Sequence, residues 1–166
     1  MLSINTAEIL LAYAEISVGF AGFASIVVVL KRRAAGNWEP LDAFRFGAML
    51  RASLLTAFFT LLPLPLLQFG VAESRVWQFT SLLIAVYMIW SAIYTVRTRN
   101  IFKRGVWVSL LVYLTAIGFS QIIYVFGWIS SGSAEFVLLG LVACLILAGW
   151  HFYRLVLVTP DAAVTS

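Results

Sequence analysis

Residues 52–72 run for twenty-one positions without a charge. A helix rises about 1.5 Å per residue, so a run of that length crosses roughly 30 Å of hydrocarbon. Five apolar segments of spanning length can be read, at about 6–30, 45–69, 76–96, 106–129 and 134–158. Each is continuous and bounded by charge. Outer-membrane barrel strands would instead be about ten residues long with strict alternation, a pattern that none of the five carries. The fold class expected is an all-α membrane protein, a bundle of five transmembrane helices in one polytopic domain over residues 1–166. Composition agrees: the chain is 63% hydrophobic and 11% charged, against about 45–50% and about 25% in soluble domains.

Charge asymmetry orients the bundle. Lys31, Arg32, Arg33, Arg45, Arg97, Arg99, Lys103, Arg104 and Arg154 fall on one side of the spans, and Arg75 stands alone on the other. The positive-inside rule then puts the N-terminus outside and the C-terminus in the cytoplasm. The expected location is the cell (inner) membrane. The net charge of +4 does not indicate nucleic acid, because the bases lie in short gaps between spans and form no soluble patch. The first segment is not a typical signal peptide, since its lead-in has no Lys or Arg and its basic cluster follows the apolar part. Trp77 and Trp128 at the outer boundary, and Trp38, Trp107 and Trp150 at the inner one, suit an aromatic belt.

Most acids have a structural explanation. Glu8 with Asn5 reads as a capping box at the first helix start. Glu39 and Asp42 flank Pro40, Glu73 precedes the third span and Glu135 opens the fifth, all favoured by the helix dipole. Asp161 lies in the tail. Glu15 has no such account. The apolar run after it, Ile16 to Leu30, is fifteen residues long, too short to span. The first helix must therefore reach back past Glu15 towards Thr6, which places a carboxylate inside the bilayer at a cost of roughly 3 kcal/mol. It reads either as a proton or cation site or as a protonated carboxyl hydrogen-bonded to a neighbouring helix.

Arg51 is the natural partner to consider. If the second helix begins near Leu41, Glu15 and Arg51 differ in depth by only about 4 Å across a roughly 30 Å core. If the span instead starts at position 52, Arg51 sits at the interface behind a surface helix over 38–50. Gln121 and Tyr124 on the fourth helix lie at a depth similar to Glu15 and complete the candidate transport or polar-network set.

Small residues mark packing faces. Ser17, Ala21 and Ser25 recur along one side of the first helix, and Gly19 and Gly22 share another with Glu15. Gly140, Cys144 and Ala148 recur on the fifth. Such stripes let backbones approach closely in lipid, so the first helix is expected to be surrounded by protein, inside the bundle or on an oligomer axis. Pro63 and Pro65 are a candidate hinge, since each removes an amide and frees a carbonyl four residues back, at Phe59 and Leu61. Cys144 is the one cysteine and His151 the one histidine. No disulfide, metal site, haem or other cofactor is expected from them. Ser120 lies on the opposite side of the membrane from His151, so intramembrane proteolysis is not expected, nor any enzyme.

The function expected is an oligomeric channel or transporter subunit for protons or small ions, with Glu15 as its intramembrane site. The alternative is a non-transporting accessory or scaffolding subunit that packs on a partner membrane protein. Either way the partners are the lipid bilayer and a second copy or another membrane protein.

Overall fold

The computed structural model describes residues 4–35, 40–101, 104–126 and 134–157. Trp38, Glu39, Lys103, Trp128 and Asp161, all named above, lie outside them. The described residues form α1 (Ile4–Ala35), α2 (Pro40–Leu61), α3 (Pro63–Gln68), α4 (Glu73–Arg97), a 3-10 turn (Arg99–Ile101), α5 (Arg104–Val125) and α6 (Glu135–Leu157). Five stretches are long and apolar enough to cross a membrane: Thr6–Leu30, Leu41–Gln68, Glu73–Arg97, Arg104–Val125 and Glu135–Val156. The five-helix reading stands, and the chain is a helical protein suited to membrane embedding.

The helices sort into two groups joined by a shared core. α2 packs extensively on both α1 and α6, α4 packs mainly on α5, and α4 and α5 meet α6 more sparsely. Buried apolar residues of every long helix, Leu10, Met49, Met88, Leu114 and Leu141 among them, form one cluster. Up-and-down connections bring the start of α2 and the ends of α4 and α6 together. Phe44 stacks on Tyr94 at 5.5 Å, and the Arg45 guanidinium donates to the Arg154 carbonyl at 3.3 Å.

The start of the second helix is settled by continuity. α2 runs unbroken from Pro40 to Leu61, so residues 41–50 are no separate surface helix and Arg51 lies in mid-helix. Asp42 in the first turn offers its carboxylate to Arg45, 3.3 Å away. The two prolines do interrupt this span. The helix breaks at Leu62 and restarts at Pro63, yet Leu62 keeps helical dihedrals and its amide still reaches the Phe58 carbonyl at 2.9 Å. Pro63 is buried and Pro65 exposed. α3 ends at Gln68, and Gly70, with φ of +79°, closes the turn while the Val71 amide returns to the Leu66 carbonyl.

Two local expectations change. α1 already runs from Ile4, so Asn5 lies within the helix and Glu8 is not in its first turn. The capping account of Glu8 is thereby removed. Trp77 is fully buried, with its indole N–H directed at the Glu73 carboxylate at 3.4 Å. It belongs to the core and not to an aromatic belt, because four residues of helix separate it from the end that Glu73 occupies.

α1 is also not at the centre. Leu10, Ala14, Ser17, Ala21, Ala24 and Val28 are buried, a seam with the 3.5-residue period of coiled-coil packing. The Ser17 hydroxyl donates back to the Tyr13 carbonyl at 2.6 Å and Ser25 to Ala21 at 2.8 Å, which satisfies both without a partner helix. The other side of α1 is bare. α2 and α6 hold the central places, and the second small-residue stripe fits there: Gly140, Cys144 and Ala148 are all buried.

Gln121 and Tyr124 explain how α5 is locked. The Gln121 side chain, fully buried, accepts a hydrogen bond from Ser81 of α4 and donates to the Phe136 carbonyl of α6 at 3.0 Å. Tyr124 stacks on Phe136 with ring centroids 5.0 Å apart. Gly140 makes the room: a Cβ there would stand 3.1 Å from the Gln121 amide nitrogen and 3.0 Å from Ile84. Gly140→Leu is therefore expected to destabilise the bundle by about 1–3 kcal/mol through overpacking, and Gln121→Leu by about 1–2 kcal/mol through loss of the interhelical bonds. Denaturant unfolding of the purified protein in detergent measures both.

Candidate functional site

The four polar-network candidates occupy three separate places. Gln121 and Tyr124 form the interhelical lock. Glu15 lies on the exposed side of α1. Arg51 is half-buried on the opposite face of α2's neighbourhood, among α4 and α6 side chains. Glu15 and Arg51 form no ion pair, because their helices turn these positions to different surroundings despite the similar depth.

Glu15 belongs to a regular pattern. Glu8, Ala12, Glu15, Gly19, Gly22, Ile26 and Val29 are all exposed. Their spacing repeats every 3.5 residues, as the buried seam does, on roughly the opposite side of the helix. A Cβ built at Gly19 or Gly22 meets nothing within 4 Å, so the backbone itself is open along this face. Within one chain, the glycines serve no packing contact.

Arg51 sits against an aromatic stack. Its guanidinium carbon lies 5.3 Å from the Tyr94 ring centroid and 5.8 Å from that of Trp90. Trp90 and Tyr94 are themselves stacked at 5.6 Å, and Phe44 continues the stack. A single guanidinium–ring contact is worth about 0.5–2 kcal/mol. Burial of an arginine at mid-helix costs roughly 2.5–3.5 kcal/mol by insertion scales, so the two rings offset much of it. Gly47 lets the side chain lie along the helix: a Cβ at that position would stand 3.3 Å from Nη1 of Arg51.

No carboxylate lies within ion-pair distance of Arg51 among the described residues, and no hydrogen bond reaches its guanidinium there. The side chain lines a partly open cavity of about 20 Å³ between α2, α4, α5 and α6. Tyr87, Ser91, Thr95 and His151 line the same cavity, with Leu110, Leu114 and Leu147 as its apolar wall. Thr95 donates to the Ser91 carbonyl at 2.9 Å. His151 is 4% exposed. α6 turns it inward beside Phe44, at 6.0 Å between centroids. Arg45 and Arg51 both stand close enough to act on it electrostatically.

Trp90, Ser91, Tyr94 and Thr95 were not signalled by the sequence. They fall inside a uniformly apolar-aromatic span, where nothing marks which of its sides will face Arg51. Among the described residues no three of His, Cys, Asp and Glu converge as metal ligands would. No family model, curated protein or solved structure matches this chain, so the site is read from its own chemistry.

The aromatic support of Arg51 is measurable. A double-mutant cycle of Arg51→Met and Trp90→Leu is expected to give a coupling energy of about 0.5–2 kcal/mol in unfolding experiments. Additive effects would mean that the ring and the guanidinium do not interact.

Proposed function

We propose that this chain is a subunit of an oligomeric assembly that moves protons or small ions across the cell (inner) membrane, with α1 at the contact between copies and Glu15 beside the path. The observation that carries the reading is the outer face of α1. A carboxylate turned towards hydrocarbon is unfavourable, and one at the meeting line of several copies finds water or a second polar group. The exposed glycines at 19 and 22 supply the close backbone approach that helix association in lipid uses. Glu8, one heptad before Glu15, extends the same line towards the N-terminal end.

The same face supports a second reading, in which α1 docks on a different membrane protein and Glu15 makes a hydrogen bond there. Orientation with the N-terminus outside rests on the basic side chains Arg45, Arg97, Arg99, Arg104 and Arg154, which share one end of the bundle while Arg75 stands at the other.

Two measurements separate the readings. Gly22→Cys is expected to form a disulfide-linked dimer on mild oxidation in membranes, whereas cysteine at the buried Ala21 is not. Proteoliposomes of the wild type are expected to pass protons or small ions, and those of Glu15→Gln to fall to the protein-free level. Background flux from both would remove the transport reading. Recovery of another membrane protein with the wild type, weakened by Glu15→Ala, would then establish the accessory one.

A further inference from the structure

The Arg51 cavity is independent of the α1 face and needs no second copy. We infer that it binds one small monovalent anion of halide size. Three features of the site converge on this. The first is charge: Arg51 brings a permanent positive charge and five N–H donors into a bundle interior that supplies no carboxylate to it. The rings of Trp90 and Tyr94 stabilise the cation through its face and leave its in-plane donors without an acceptor. Arg45 adds a second positive charge near His151, although its own guanidinium is shared between Asp42 and the Arg154 carbonyl.

The second feature is the set of neutral donors. Tyr87 and Ser91 place two hydroxyls on the cavity wall. A neutral imidazole at His151 carries one N–H, and no hydrogen bond holds either of its nitrogens among the described residues. An anion accepting from Arg51, one hydroxyl and His151 would meet one charge-assisted donor beside neutral ones.

The third is size. Roughly 10–15 Å³ of cavity holds one water, so the space of about 20 Å³ admits a single monatomic ion. Phosphate, sulfate and lipid headgroups are too large. Leu110, Leu114 and Leu147 form the apolar wall of the cavity. Gly47 belongs to the site as a positioning residue, since it lets Nη1 of Arg51 lie against its backbone.

The test is equilibrium dialysis of the purified protein in detergent against radiolabelled chloride, with gluconate holding the ionic strength constant. Saturable binding approaching one chloride per chain is expected, displaced by bromide and not by sulfate or phosphate. Arg51→Gln is expected to abolish it, and Ser91→Ala and His151→Gln to weaken it several-fold. The last two substitutions conserve the charge balance and the fold if Arg51→Gln does not. No chloride binding above the gluconate control would mean that the cavity holds water only, and would overturn the assignment. Wild-type affinity in Ser91→Ala and His151→Gln would overturn it too, by placing the ion elsewhere. Equal displacement by sulfate or phosphate would overturn the size limit. None of these outcomes bears on Glu15, so the site stands or falls apart from the proposed transport function.

Discussion

Polar groups inside an apolar bundle have to find acceptors and donors within the protein, and that constraint shapes most interior contacts here, the buried Ser53 hydroxyl being left without a partner among the described residues. Most hydroxyls solve it locally. Thr56, Thr60 and Thr80 are buried and each donates to the carbonyl one turn back on its own helix. This leaves the backbone ladder intact and asks nothing of neighbouring helices. Tyr113 reaches across instead, donating to the Ala143 carbonyl at 2.7 Å. Gln121 is too long and too polar to be satisfied within its own turn. It therefore ties α4, α5 and α6 at one level, and Gly140 has to be small for that reason.

Two charged side chains escape this solution, in opposite ways. Glu15 is directed away from the protein, on a face where no helix of the same chain lies. Arg51 is directed into the protein, where aromatic rings and neutral donors meet it but no acid does. Their separation turns one expected ion pair into two sites with different requirements. The face of α1 asks for another transmembrane helix. The Arg51 cavity asks for something small and negative.

The arrangement of the helices follows from where small residues fall. α2 and α6 pack extensively, and Ala52, Ala57, Cys144 and Ala148 are among the small buried residues of the two helices, while Gly140 faces Ile84 of α4 and Gln121 of α5. α1 joins this pair along Ala14, Ser17, Ala21 and Ala24. The other group, α4 with α5, meets at Gly118, where a Cβ would stand 3.4 Å from that of Met88. Larger rings fill the end where α2 starts and α4 and α6 finish, so packing there is less regular and a cavity remains beside Arg51.

The number of spans and the place of Glu15 within the first of them were legible in the sequence, because count depends on local composition and on the fixed rise of a helix; the start of the second helix was not. The break at Pro63 and the packing stripe Gly140, Cys144 and Ala148 were legible for the same reason. The sequence left the direction of each face open. α1 carries two small-residue stripes of equal period, and nothing local states which one meets α2. α4 is apolar all round, so Trp77 reads as a boundary residue and Trp90 and Tyr94 as unmarked ones. Helix rotation is fixed only when partners compete for the same surface. That competition put Leu10 to Val28 inside and Glu15 outside, brought His151 beside Arg51, and separated two charges that length and depth alone would have paired.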